Sequence, residues 1–179
     1  MIDPVIELSL CFALALLFAA AAWHKVSERI RFGAVVRAYN LLPSWLVAPA
    51  VRLLPLLEVS IAIGLLYPPT RQAAALAAVP LLVLYTTAIS VNLARGRREI
   101  DCGCFAASVR VPLSNWLVVR NGILMVAACT LLLPMRTRPL IWVDGLTLAT
   151  ALITMALLWA AGQRLAHTGA NLRRFGGTG

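Results

Sequence analysis

Val5-Ile-Glu-Leu-Ser-Leu-Cys-Phe-Ala-Leu-Ala-Leu-Leu-Phe-Ala-Ala-Ala-Ala-Trp23 carries one formal charge, Glu7, in nineteen residues. A helix needs about 20 mostly apolar residues to cross the hydrocarbon of a bilayer, so this stretch reads as a membrane span. Four more follow, at about Val47–Tyr67, Gln72–Ala94, Asn115–Pro134 and Leu140–Ala161. The second is interrupted by Arg52, Pro55 and Glu58; the fourth carries Arg120 and Asn121; the fifth has Asp144 near its start. Together they use most of the chain and predict an all-α integral membrane protein, a bundle of about five transmembrane helices. Residues 1–161 form one polytopic membrane domain, and 162–179 a flexible tail rich in Gly and Arg.

Composition excludes the alternatives. Of 179 residues, 61% are apolar and 13% charged, against roughly 45–50% and 25% in soluble domains. A chain this short has too much surface for its volume to hide that apolar content from water. The balance is basic, with 15 Arg and one Lys against seven acids, net +9. These cations lie between and beside the apolar stretches rather than on one face, which is the pattern of topology signals and lipid-headgroup contacts. Membrane lipids are the expected partners, and nucleic acid is not.

The first span is expected to be retained. Ala19–Ala22 resembles a cleavage site, but Asp3 and Glu7 precede it without any Lys or Arg, whereas a signal peptide opens with positive charge. Between spans one and two, Ile30, Phe32, Val35, Val36, Tyr39, Leu41 and Leu42 alternate with Lys25, Arg29, Arg31 and Arg37. Recurrence at three and four positions predicts an amphipathic helix lying in the interface, ended at Pro43-Ser44. Trp23, Trp45, Tyr67, Trp116 and Trp142 fall near span ends, as interfacial anchors do. In a five-span arrangement, eleven Lys and Arg fall on one side, including Arg95, Arg97, Arg98 and Arg110, and three on the other (Arg71, Arg136 and Arg138). Positive-inside bias then places the N-terminus outside and the C-terminus in the cytoplasm.

Chemistry concentrates after span three, where Asp101-Cys-Gly-Cys-Phe105 sits in a polar loop. A disulfide requires Cα atoms within roughly 4.4–6.8 Å. Cys102 and Cys104 meet that only across a tight turn, which Gly103 adopts cheaply. A ring so small is strained, and strain makes a disulfide easier to reduce, which suits exchange better than stapling. Arg97, Arg98 and Arg110 favour the thiolate, and Glu99 and Asp101 oppose it. A closed zinc site takes four ligands. The chain adds only His24 and His167, so no metal is expected. Cys11 and Cys129 lie inside spans and read as small buried apolar residues. Cys129 is roughly 21 Å along its span from the loop, near the face that Cys11 occupies, which leaves a second pair there as a minor alternative.

Charges inside a bilayer are costly and normally turn inward to a partner. Glu58 is such a charge. Arg120, with Asn121 beside it, is its expected partner, and Lys25 the next. Asn92, at the end of span three, joins this network or caps the helix. The group reads either as a polar pocket that binds a quinone ring or fixes a thiolate, or as an ion pair that sets helix register.

The run Asn92-Leu-Ala-Arg-Gly-Arg, then Asp101-Cys-Gly-Cys-Phe105, then Arg120-Asn121, resembles the MauE family of methylamine utilization proteins. Lys25, Phe32, Tyr39, Leu42-Pro43 and Leu54-Pro-Leu-Leu-Glu58 are similar to the wider DoxX-like group. The resemblance covers about residues 10–134; one departure is Ala106, where the family has glycine. It implies a four-helix DoxX-like core plus one helix, in the bacterial inner membrane. It also implies a role in maturing methylamine dehydrogenase, whose small subunit is rich in disulfides, together with a thioredoxin-like MauD-type partner. Cys102 and Cys104 would be the catalytic redox pair, and Glu58, Arg120 and Asn121 supporting pocket residues. A membrane quinone is the acceptor class compatible with that role, although no motif specifies a cofactor site. The family's client is periplasmic, whereas the charge count places the cysteine loop on the cytoplasmic side. Two other readings stay open on the residues: a non-catalytic membrane scaffold for the same maturation, and a small transporter using Glu58.

Overall fold

A computed structural model describes residues 3–100, 113–134, 142–154 and 157. Every regular element among them is helical: α1 (Pro4–Ser27), α2 (Arg29–Tyr39), α3 (Ser44–Leu66), a 3-10 turn (Pro68–Thr70), α4 (Arg71–Ala94), α5 (Asn115–Thr130) and α6 (Trp142–Thr154). Among the described residues, three helices are long and apolar enough to cross a membrane: α1, α3 and the 3-10 turn continued by α4. The shorter α5 and α6 are also apolar. The protein is therefore an all-helical membrane protein. The fourth predicted span is helical only to Thr130, short of Pro134. Of the fifth, the described part is α6.

Local chemistry sets the ends. Asp3 caps α1, its Oδ1 accepting from the Val5 N–H at 2.9 Å, and Pro4 occupies the first turn, where its missing N–H costs nothing. The segment between the first two spans is helical, as its pattern predicts, but the helix is shorter than that pattern suggests. α1 runs on through Ser27, Glu28 breaks it, and α2 ends at Asn40 rather than at Pro43. Asn40 stops the helix by taking the left-handed conformation, φ 50°, which Asn tolerates better than most residues. Pro49 and Pro55 lie inside α3, and Pro80 inside α4, without ending either helix. Between α3 and α4, the Thr70 hydroxyl donates to the Gly64 and Tyr67 carbonyls, at 2.9 and 3.1 Å, satisfying oxygens the helix end leaves open.

α1 packs on α3, α3 on α4 and α4 on α5, with α2 resting on α3. Cys11, Leu14, Ala15 and Phe18 of α1 meet Ile61, Ala62 and Leu65 of α3 and Ala74, Ala75, Ala78, Leu81 and Leu82 of α4. The alanines let backbones approach closely, the usual device where lipid is as apolar as the core. Gly64 shows how closely: a Cβ there would stand 2.8 Å from the Ala74 Cβ. The outward faces are apolar too, with Leu16, Ile63, Leu76, Ile123 and Val126 all exposed, and Trp23, Trp45, Tyr67, Trp116 and Trp142 exposed near helix ends. This is the surface of a bundle solvated by lipid. One end holds the α3–α4 turn and the start of α1. The other holds α2, the end of α4 and the start of α5. They are the turn end and the loop end below.

Candidate functional site

The buried stripe of α1 is Glu7, Cys11, Leu14, Ala15, Phe18, Ala22 and Lys25. Spacings of three and four keep these on one face, with an ionisable group at each end. Lys25, in the last turn, ion-pairs with Oε1 of Glu58 on α3; their side chains are 2% and 1% exposed. The Tyr85 hydroxyl on α4 donates to the same Oε1 at 2.8 Å and lies 3.4 Å from Lys25 Nζ. The ammonium also stands 4.8 Å from the Tyr85 ring centre and 5.6 Å from that of Phe32 on α2. An ammonium gains from aromatic faces at that range, most where water is excluded. One buried cluster thus ties α1, α3 and α4 together, with α2 laid against it.

This corrects one expectation. The first partner named for Glu58 was Arg120, and the structure gives that place to Lys25. Arg120 Nη2 lies 3.5 Å from Asn121 Oδ1, its neighbour on α5. Asn121 is buried at 2% exposure, between Leu117, which packs with Ile89, and Leu124 and Met125, which pack against the cluster that also receives Tyr85. Asn92 is fully buried, and its Nδ2 donates to the Ala88 carbonyl one turn back, at 3.0 Å. Of the two roles expected for it, joining the Glu58 network or capping the helix, this bond is the local one, made within α4. Tyr85 is the residue sequence reasoning missed. A tyrosine in mid-span, far from the interface, needs a partner for its hydroxyl, and that was the available signal.

Cys102, Cys104 and Arg110 lie outside the described residues. The chain on either side of them is described. The Leu113 N–H donates to the carbonyls of Arg98 and Ile100, at 3.1 and 3.2 Å, so residues 100 and 113 are held side by side. Ile89, Leu113 and Leu117 form a small core there, with Tyr39, Leu93, Ile100 and Val118 against it. Arg95 and Arg97 reach the Asn40 and Ala38 carbonyls, at 3.4 and 3.5 Å, fastening the end of α2 to the end of α4. Cations at a helix C-terminus also complement its dipole. Cys11 is buried and Cys129 exposed, and both are free thiols, so they form no second disulfide.

At the turn end, Arg71 Nη1 donates to Glu7 Oε1 at 3.3 Å, and its Nε to the Leu65 carbonyl at 3.3 Å. Acid near the start of α1 and base near its end each suit the helix dipole.

No solved structure matches the chain. Among curated relatives, the methylamine utilization protein MauE of Methylorubrum extorquens is 40% identical over 161 residues, covering 89% of this chain and 87% of its own. The MauE of Paracoccus denitrificans is 39% identical over 128 residues, 72% of this chain and 69% of its own. That of Methylophilus methylotrophus is 46% identical over 112 residues, 63% of this chain and 57% of its own. The family model described as methylamine utilisation protein MauE matches residues 3–134, the stretch that holds α1 to α5 and the Lys25–Glu58 and Arg71–Glu7 pairs, and the chain therefore belongs to the MauE family.

Proposed function

We propose that this membrane protein is a thiol–disulfide redox factor in methylamine utilisation, with Cys102 and Cys104 as the exchanging pair. In each exchange a thiolate of the partner attacks a sulfur of the Cys102–Cys104 disulfide and forms a mixed disulfide. The second thiolate resolves it, so one disulfide is lost where another is gained, with two electrons passed between them. The partner is a thioredoxin-like protein of the MauD type, and the client is the disulfide-rich small subunit of methylamine dehydrogenase. A membrane quinone is the class of acceptor that would take the electrons onward. Lys25, Glu58, Asn92, Arg120 and Asn121 act as the supporting pocket. The setting is the bacterial inner membrane, with five spans and a four-helix DoxX-like core; the basic tail at 162–179 lies outside the described residues.

The observation that carries this reading is the anchorage of the cysteine segment. Its two ends are hydrogen-bonded together on a small apolar core, beside the arginine-fastened α2. A reactive thiol pair gains specificity from a rigid base, and this base sits at the end of α4 that carries Asn92. Replacing Cys102 and Cys104 by Ser, singly and together, tests it. The expected result is loss of client disulfides and of active enzyme in all three variants, with a trapped mixed disulfide to the thioredoxin-like partner in one single variant. Full maturation in the double variant would leave a scaffold. Intact client disulfides in Glu58→Gln, with a lost solute flux, would point to a transporter.

A further inference from the structure

We propose that the corner where the end of α4 is fastened to the end of α2 is a docking site for an anionic phospholipid of the surrounding membrane, its headgroup phosphate held by Arg37, Arg95 and Arg97. The inference stands apart from the cysteine chemistry.

The first observation is that the fold gathers like charges. Arg95 and Arg97, just past α4, reach the carbonyls of Asn40 and Ala38, two residues apart at the end of α2. Arg37 lies in the last turn of the same helix. Like charges so placed repel one another unless an anion lies among them. The chain offers little of one. Among the described residues of the loop end, Glu28 is paired with Arg31 and Glu58 with Lys25. That leaves the exposed Glu99 against Arg29, Arg37, Arg95, Arg97 and Arg98, all exposed and none in an ion pair among the described residues. Helix capping uses a small part of this charge. Cations suit the carbonyl end of a helix, and Arg95 and Arg97 each give it one Nη, at 3.4 and 3.5 Å. A guanidinium has five donors in a planar fork, so most of each remains. Arg37 makes no hydrogen bond among the described residues, and its Nη2 folds back to 3.8 Å from where a Cβ on Gly33 would stand. Such forks match the oxygens of a phosphate.

The second observation selects a lipid over a soluble anion. The chain leaves α2 through Leu41 and Leu42, both exposed, and enters α3 at Trp45, which is 73% exposed; Ile30, on α2 itself, is 89% exposed. Cations bordered by bare apolar and indole side chains belong at the boundary between headgroups and acyl chains. Headgroup phosphates lie at that depth, and basic residues there gain from anionic lipid. An acidic peptide in water would meet the arginines and leave the apolar side chains uncovered. A choline headgroup brings its own cation to its phosphate, so the lipid preferred is one without it, such as phosphatidylglycerol.

The full chain in detergent micelles is titrated with phosphatidylglycerol, with phosphatidylcholine, or with the soluble anions glycerol 3-phosphate and polyglutamate. Bound lipid is counted by native mass spectrometry, and thermal unfolding is followed in parallel. The expected result is phosphatidylglycerol held roughly fivefold or more tightly than phosphatidylcholine, with a rise in Tm that neither soluble anion gives at the same concentration. Replacing Arg37, Arg95 and Arg97 together by Gln brings the preference below about twofold, because each removes one cation from the phosphate. Arg71→Gln, at the turn end, keeps the full preference. Should the triple variant not fold, Arg37→Gln alone decides the matter, since it breaks no hydrogen bond among the described residues, and it is expected to lose about half of the preference or more. Three results would each overturn the proposal: equal retention of the two lipids by the wild type, a preference undiminished in these variants, or a soluble anion that protects as well as the lipid.

Discussion

The two ends of α1 solve the same problem differently. At the loop end, Lys25 and Glu58 are almost wholly buried and share a phenol and two ring faces. At the turn end, the Arg71 side chain is 18% exposed and the Glu7 side chain 8%, and Arg71 divides its donors between a carboxylate and a backbone carbonyl. A sealed pair depends wholly on its partner, because neither charge has water to fall back on. A pair at the rim keeps that alternative and is worth less. The loop end is therefore held by polar chemistry. The turn end is held by close backbone contact at Gly64 and the alanines of α4, with its ion pair secondary.

Breaking the sealed pair from one side gives the largest expected effect. Lys25→Met leaves a carboxylate buried without its cation, at a cost of about 3–5 kcal/mol, read as a fall in unfolding free energy in mixed micelles. The double variant Lys25→Met, Glu58→Leu removes both charges and is expected to regain most of that loss. A double variant no better than either single one would mean that the pair is not the sealed unit its geometry describes. Tyr85→Phe is the next step down. It removes one hydrogen bond to the carboxylate but keeps the ring over Lys25, and costs about 1–2 kcal/mol. Any larger loss would mean that the hydroxyl, and not the ammonium, holds the carboxylate in place.

The difference between the ends also explains what could be read in the residues. The helical class and the three long helices followed from the apolar runs, because a bilayer admits few other solutions. That Glu58 needs a buried partner followed from the cost of a charge in lipid. Which cation answers it did not. Lys25 and Arg120 are both cations within reach of the bundle interior, and choosing between them requires knowing how far the α1 stripe extends past Trp23. The apolar count stops there, and the helix runs to Ser27. Tyr85 was invisible for a related reason, since a lone hydroxyl barely lowers the hydropathy of its span. Asn40 ends α2 by a backbone choice that a periodicity count does not contain, so the helix stops short of the Pro43 that the pattern predicts. The cysteine pair was the clearest motif in the sequence, and it falls outside the described residues, so its role rests on the reading above.

The turn end is tested first through its backbone. Gly64→Ala places a methyl group 2.8 Å from the Ala74 Cβ. That neighbour is fixed to its own backbone and cannot rotate away, so α3 and α4 must part slightly, at a cost of about 1 kcal/mol. The measurement is the same unfolding free energy, with a cysteine-free spin-labelled pair across α3 and α4 reporting the separation.

Arg71→Met gives the smallest effect. Methionine keeps a flexible apolar stem at the position and removes both donors. Glu7 then loses its cation, but it lies in the first turn of α1, where the helix dipole favours a negative charge. The expected loss is below about 1 kcal/mol, several-fold less than for Lys25→Met in the same assay. Raising salt from low to physiological strength should shrink the Arg71 effect further and leave the Lys25 effect unchanged, because mobile ions screen a rim pair and cannot reach a sealed one. Equal losses at the two ends, or a salt response at Lys25, would show that the inner cluster opens to solvent far more than its burial implies.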